Sequence, residues 1–197
     1  MTIYMNFRKR RAMYSLDALA RVEGPNLSLR LIKPDDCFYV HKLRSDPKYN
    51  RYLSTVNGSP DEQRLWIEAY KEREANFREF YYVIERKDGK RCGLVRLYAI
   101  EQDSFTWGSW ILDENKTKKA ALESLVLSFG VGFEHLGLPL AHVDVRIENS
   151  TAQAIYSRFG MIERRRDDRN IYFTYTRDRF ESDLVKHLTI LDGEKAR

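Results

Sequence analysis

The segment from Thr117 to Ile147 constrains the fold more than any other. A helical pattern over Thr117–Leu136 places Leu122, Leu125, Val126, Phe129 and Phe133 on one face and stops at Gly137. It lies between two strand patterns, Phe105–Leu112 and Ala141–Ile147. The second alternates Val143, Val145 and Ile147 with His142, Asp144 and Arg146. A strand, a long helix and a further strand read as a parallel crossover. The flanking segments read otherwise. Phe80–Arg86 and Cys92–Ile100 are joined by the hairpin turn Lys87-Asp88-Gly89-Lys90, and a turn at Gln102-Asp103-Ser104 leads into Phe105. Met161–Arg166 and Asn170–Tyr175 are joined by a polar turn. The sequence therefore predicts a mixed α/β fold: a mostly antiparallel central sheet with one parallel crossover, helices on both faces, and no doubly wound parallel sheet.

Upstream, Asn26–Lys33 alternates Leu27, Leu29 and Leu31 as a strand, and Pro34-Asp35-Asp36 opens a short helix to about Ser45. Ser59-Pro60-Asp61-Glu62 supplies an N-cap, a first-turn proline and a capping-box glutamate. The helix it opens is predicted to carry Leu65, Trp66, Ala69, Tyr70 and Phe77 on its apolar face. Gly24-Pro25 divides a basic extension, residues 1–25, from a body spanning 26–178. The tail, 179–197, starts amphipathic at Phe180, Leu184 and Leu188 and ends polar.

With 197 residues, 43% hydrophobic and 32% charged, the chain suits one globular domain with a sizeable core. No stretch approaches the roughly 20 apolar residues of a membrane span. The cluster Arg8–Arg11 is not followed by an uninterrupted apolar run, because Asp17 and Arg21 intervene, so export is not expected. The first 16 residues lack acids, which keeps an organelle-targeting reading open, and Met5 and Met13 keep a downstream start open. Cys37 and Cys92, with His41, His135, His142 and His187, have no metal-ligand spacing. Reduced thiols, no metal and a cytoplasmic location are expected. A net charge of +5 suits a polyanionic ligand such as a nucleotide and also nucleic acid, for which Arg8 to Arg11 would be the binding cluster. Acids and bases are interleaved along most of the chain, which disfavours nucleic acid as the partner.

The chemistry concentrates in Asn149-Ser150-Thr151-Ala152-Gln153-Ala154-Ile155-Tyr156-Ser157-Arg158-Phe159-Gly160-Met161. An asparagine at a helix start can cap the backbone and still offer its amide to a ligand. Tyr156, seven residues on, shares that face about two turns away. A phenol is protonated at neutral pH and can act as a general acid. Together with the order of elements over about Asn26–Arg177, this segment resembles the GNAT superfamily of N-acetyltransferases. The resemblance implies acetyl-CoA as cosubstrate, Asn149 binding its pantetheine arm, and Tyr156 protonating the leaving thiolate. It also implies that the backbone of Trp110, Ile111 and Leu112 holds the acetyl carbonyl and pantetheine. The turn Lys116-Thr117-Lys118-Lys119-Ala120-Ala121 would hold the pyrophosphate at a helix N-terminus. A basic first turn is itself unfavourable beside the helix dipole unless an anion is present. Lys119 stands where the family usually has glycine, and a side chain there is expected to crowd the phosphate hole. Gly108 marks a bulge or a close ligand approach.

Within the superfamily the chain is similar to two groups, one acetylating ribosomal-protein or other N-terminal amines, the other nucleotide-linked amino sugars. Leu43-Arg44-Ser45-Asp46, Arg51-Tyr52-Leu53 and Gln63-x-x-Trp66 fit both. Gly93-Leu94-Val95-Arg96-Leu97-Tyr98 and Trp107-Gly-Ser-Trp110 look more like the sugar group. Arg44, Arg51 and Arg96 are then candidates to pair with a diphosphate, with Tyr98, Asp103 and Trp107 on the acceptor side. Candidate bases are Glu101, Asp103, His142, Asp144 and Glu148, and no cysteine is placed for a covalent acyl-enzyme. A small-molecule or N-terminal amine acceptor and a monomer or homodimer are expected. The Lys119 departure keeps a second class open, a CoA-binding module without turnover.

Overall fold

In the computed structural model, which describes residues 15–54 and 58–193, one eight-stranded sheet organises the chain. Its strands are β1 (Arg21–Glu23), β2 (Leu27–Leu31), β3 (Phe80–Arg86), β4 (Arg91–Tyr98), β5 (Ser104–Leu112), β6 (Leu140–Arg146), β7 (Ile162–Arg166) and β8 (Asn170–Thr176), in the order β1-β2-β3-β4-β5-β6-β8-β7. Neighbours are antiparallel except β5 and β6, the parallel crossover that the long helix pattern demands.

The sheet begins on the far side of Gly24-Pro25. Helix α1 (Leu16–Ala20) is capped by Ser15, buries Leu19, and feeds β1, where Val22 pairs with Leu29. The Arg8–Arg11 cluster lies outside the described residues.

Alternation along the strands sends side chains to two cores. On β3, Phe80, Tyr82 and Ile84 join Phe105, Trp107, Phe129, Phe133, Tyr175 and Phe180 in the larger one, beneath α1, α5 (Ala120–Gly130), α6 (Ser150–Phe159) and α7 (Arg177–Asp192). Tyr81 and Val83 point the other way, into a smaller core with Val40, Leu43, Ile67 and Tyr70 beneath α2 (Cys37–Ser45) and α4 (Pro60–Ala75). The short helix α3 (Pro47–Asn50) follows α2.

Three helical expectations change. The buried face of α4 is Gln63, Ile67, Tyr70 and Glu74, while Leu65 is 64% exposed. Glu74 is tolerated on that face because it is partnered there. The Tyr70 hydroxyl donates to Glu74 at 2.8 Å and accepts from the Tyr81 amide at 2.7 Å. The long helix is α-helical only to Gly130 and continues as a π-helical turn, Val131–His135. Phe105 fills the space beneath that turn: a Cβ on Gly132 would lie 2.1 Å from its ring. On α7, Phe180, His187 and Leu191 face inward, and Leu188 is exposed.

Glu123 ties α5 to the sheet. It is fully buried, and its carboxylate accepts from the backbone amides of Asn26 and Leu27, each at 2.7 Å, and from Asn26 Nδ2 at 3.1 Å. Such a carboxylate is tolerated inside because donors replace its water.

The feature that positions the site is where β5 and β6 stop pairing. Their ladder runs from Ser104↔Leu140 to Trp107↔Val143 and ends. Beyond it β5 stays with β4, and β6 stays with β8. At the parting, the β4–β5 register slips between Leu94 and Arg96, and Ser109 takes a φ of 50°. The bulge expected at Gly108 therefore has its strained residue one position later, where the left-handed region is sparsely populated by anything but glycine.

Candidate active site

The parting strands open a cleft of about 610 Å³, within the range of small-molecule sites. Trp110, Ile111 and Leu112 of β5 line one side, and Asp144 and Arg146 of β6 the other. Asn149, Ala152 and Tyr156 line it from α6, and Lys116, Thr117, Lys118 and Ala121 from the start of α5. The segment before α6 thus meets the turn before α5 across one cavity, as the chain order requires.

Two indoles hold β5 against α5. Trp110 Nε1 donates to Ser124 Oγ at 3.1 Å and Trp107 Nε1 to Ser128 Oγ at 2.8 Å. Ser124 and Ser128 are four apart, so they lie on one helical face and fix strand and helix together.

The N-terminus of α5 suits an anion. The Ala120 amide donates to the Thr117 carbonyl at 3.1 Å, the next two amides have no partner among the described residues, and Lys116 and Lys118 line the cleft beside them. Thr117 Oγ1 is buried with no hydrogen-bond partner among the described residues. An orphaned hydroxyl at a helix N-terminus, beside the unpaired amides of Ala121 and Leu122, points to a ligand oxygen. Lys119, expected to crowd this place, does not. Its Nζ donates to the carbonyl of Ile190 at the end of α7, and it does not line the cleft. Its φ of −104° needs no glycine. Ala120, expected at the ligand, is instead fully buried in the core.

Asn149 caps α6, its Oδ1 accepting from the Ala152 amide at 3.1 Å, and its Nδ2 donates to nothing among the described residues. Tyr156 is buried, its ring edge-on to Trp107 at 5.8 Å and to Phe173 at 6.0 Å. Its hydroxyl makes no hydrogen bond among the described residues. Burial, with the charge of Asp144 and the nearby Tyr98, pushes its pKa well above the usual phenol value, so it holds its proton. Tyr98, also in the cleft, is raised by burial first and then by Asp144.

Among the described residues Asp144 is the only carboxylate lining the cleft, against Arg44, Lys48, Lys116, Lys118 and Arg146. It makes no hydrogen bond or ion pair among the described residues. The other candidate bases lie elsewhere: Glu101 and Asp103 at the turn entering β5, at the opposite end of the strand from the cleft, and His142 and Glu148 outside its lining.

Of the candidate acceptor residues, Arg44 and Tyr98 reach the cleft. Arg96 lines a smaller neighbouring pocket and is already paired, its Nε donating to Glu79. Arg51 sits with Arg146, Glu148 and Arg169 in a separate depression. Trp107 is fully buried, stacked 5.1 Å from Phe129, and is a core residue because β5 turns its side chain under α5. Asp103 is exposed in its turn. Tyr49, Tyr52 and Ser109 also line the cleft. Tyr52 and Ser109 fall within the stretches that resemble the family, though the resemblance assigns neither a role, and Ser109 arrives there through the bulge; no sequence signal singles out Tyr49.

A sheet that parts at a parallel pair, over a helix N-terminus and a buried tyrosine, defines a site for a long ligand with an anionic end. A family model for the acetyltransferase (GNAT) domain matches residues 26–162. Among solved structures, apo FdhC, a nucleotide-linked sugar GNAT, is 34% identical, with 85% of this chain and 96% of that chain covered and a TM-score of 0.79. Spermidine N-acetyltransferase from Vibrio cholerae, in complex with CoA and spermine, is 21% identical over 80% of this chain and 99% of its own, with a TM-score of 0.71. A putative ribosomal-protein-serine acetyltransferase from Vibrio cholerae is 18% identical over 79% and 97%, with a TM-score of 0.66. No match is found among the curated proteins. The chain belongs to the GNAT acetyltransferase family. Among the described residues no helix is long and apolar enough to cross a membrane, and no group of three acidic, histidine or cysteine side chains could hold a metal.

Proposed function

We propose that the protein transfers an acetyl group from acetyl-CoA to the primary amine of a nucleotide-linked amino sugar. The observation that carries the transfer is the parting of β5 and β6, with the free amides and orphaned Thr117 hydroxyl at one end and Tyr156 at the other. The sugar reading rests on the 34% identity with the nucleotide-linked sugar GNAT, which spans 85% of this chain, and on a cleft in which cations outnumber the single carboxylate.

The bound cosubstrate supplies an activated acetyl thioester. Lys116, Lys118 and the first amides of α5 hold its phosphates, and the backbone of Trp110–Leu112 orients its arm alongside β5. The Asn149 Nδ2 donates to that arm. Asp144 accepts the proton that the acceptor ammonium must lose before it attacks, directly or through one water. Tyr156 returns a proton to the departing sulfur, and its raised pKa keeps that proton in place until charge develops there. Thus one carboxylate and one phenol on facing elements divide the two proton transfers.

The geometry of Lys119 removes the main reason for a turnover-free reading, because the expected obstruction points to α7. A protein N-terminal acceptor is the other reading. The likeness to the ribosomal-protein-serine enzyme, at 18% identity, supports the fold alone. The test is incubation with acetyl-CoA and a panel of nucleotide-linked amino sugars, polyamines and N-terminal peptides. Acetylation of a nucleotide-linked sugar with release of CoA is the expected result. Transfer confined to peptides or polyamines overturns the sugar reading, and no transfer to any amine overturns the enzyme reading.

A further inference from the structure

Beside the cleft lies a second pocket of about 320 Å³, bounded by α2, the start of α4 and the faces of β3 and β4. Arg44 belongs to both cavities and forms the partition between them. It is 8% exposed. Its Nη1 donates to Ser109 Oγ at 3.3 Å, and its Nη2 to the carbonyl and hydroxyl of Ser54 at 3.1 and 2.8 Å. All three acceptors are neutral. Among the described residues Arg44 has no carboxylate partner, whereas Arg96, the other arginine lining this pocket, shares Glu79 with Arg73. Glu62 lines the pocket, but its carboxylate accepts from the Ser59 amide at 2.6 Å as the helix capping box.

Two polar atoms of this pocket, Arg44 Nε and the Tyr81 hydroxyl, are buried and make no hydrogen bond of ordinary geometry, and the two side chains face each other, the Arg44 charge acting on the Tyr81 phenol. Tyr81 is 3% exposed. A buried guanidinium without a counter-charge is unfavourable by itself, and a donor left unpaired beside it adds to the cost. Folded proteins keep such groups where a ligand satisfies them. Arg44 carries the charge, and Nε–H and the Tyr81 O–H are the two donors left for one oxyanion. Gln63 lines the same pocket and presents a neutral amide for the atoms around it.

We infer that this pocket is an anion subsite, in which Arg44 Nε and the Tyr81 hydroxyl receive an anionic oxygen of the acceptor while its amine lies in the cleft near Asp144. The inference rests on the acceptor reading above and adds to it the place, the charge and a residue, Tyr81, that no other argument singles out. The shared chemistry is an oxyanion, from a phosphoryl group of a nucleotide or from a carboxylate on the acceptor. Of the other arginines expected at a diphosphate, Arg51 lies in a separate depression, and Arg96 lines this pocket with its Nε already donating to Glu79.

The test is calorimetric titration of the CoA-saturated protein, so that the α5 N-terminus is already filled. The probes are a nucleoside diphosphate, inorganic phosphate and acetate, and the proteins are wild type, Tyr81→Phe and Arg44→Met. The subsite predicts that at least one oxyanion binds wild type, about tenfold more weakly to Tyr81→Phe and not measurably to Arg44→Met. Tyr81→Phe keeps the ring in the smaller core and removes only a hydroxyl that makes no hydrogen bond of ordinary geometry, so wild-type thermal stability and CoA affinity should be kept. A nucleoside diphosphate outbinding acetate identifies a phosphoryl source, and the reverse identifies a carboxylate. The inference is overturned if no oxyanion binds, or if Tyr81→Phe and Arg44→Met bind it as wild type does. The two readings fail separately. A nucleotide-sugar acetyltransferase whose acceptor KM is unmoved by Tyr81→Phe sinks the subsite alone. Oxyanion binding that needs Tyr81, in a protein that acetylates no nucleotide-linked sugar, sinks the sugar reading alone.

Discussion

Replacing Tyr156 by phenylalanine separates chemistry from folding in this protein. The ring is what the core uses. It packs edge-on to Trp107 and Phe173, and phenylalanine keeps those contacts. The hydroxyl makes no hydrogen bond among the described residues, so its loss should change stability by no more than about 0.5 kcal/mol. In the proposed reaction the same hydroxyl donates the proton to the leaving sulfur. Removing a positioned general acid costs about 10²- to 10⁴-fold in kcat, or about 3–5 kcal/mol of barrier. Turnover can be followed with a thiol reagent that reports CoA release. Cys37 and Cys92 will not interfere, because both are fully buried and burial raises the Cys92 thiol to about 12. The expected variant has wild-type thermal stability, unchanged CoA affinity and a kcat reduced at least a hundredfold. A kcat within threefold of wild type, with CoA bound normally, would refute the assignment of Tyr156 as the acid.

Asp144→Asn should lower kcat/KM by about a hundredfold at neutral pH, and raising the pH should restore part of it, since more of the amine then arrives neutral; a rate profile parallel to wild type at all pH values rules Asp144 out as base. Lys119→Ala should leave CoA affinity within about twofold, because its Nζ serves Ile190, whereas Thr117→Val should weaken CoA about tenfold by removing the orphaned hydroxyl; equal effects from the two would show that the α5 turn is not the phosphate site. Burial raises Tyr156 and, still further toward full burial, Tyr82 above the ordinary phenol value. Their folded states hold a proton more tightly than the unfolded chain, so stability is complete below a pH of about 10 and falls as pH rises above it; unfolding titrations that stay flat to the highest pH would contradict that burial.

The order of elements was legible because strands and helices differ in period and the crossover leaves only one arrangement of β5 and β6. The site was legible where one residue type does one local job: Asn149 capping α6, Tyr156 on the same face, the basic turn at α5. It failed where three-dimensional direction decides. The side chain of Lys119 leaves its own turn for α7, Trp107 turns under α5, and Arg96 is claimed by Glu79. Glu74 looks like a solvent-facing residue of α4 and is buried, because Tyr70 and Lys71 donate to its carboxylate, partners that no apolar period reveals. The unpaired state of Arg44 is likewise invisible in sequence, since it depends on which carboxylates the fold brings near. Gly108 pointed to a bulge, but the positive φ falls on Ser109, a residue with no propensity to announce it.

The central claim is that the cleft between β5 and β6 holds acetyl-CoA with its phosphates at the start of α5. Isothermal titration of the protein with CoA tests this most directly. The account predicts one molecule per chain, an affinity that falls with added salt because Lys116 and Lys118 contribute, and marked weakening in Thr117→Val. Absence of CoA binding, or binding indifferent to Thr117→Val and to salt, would contradict it.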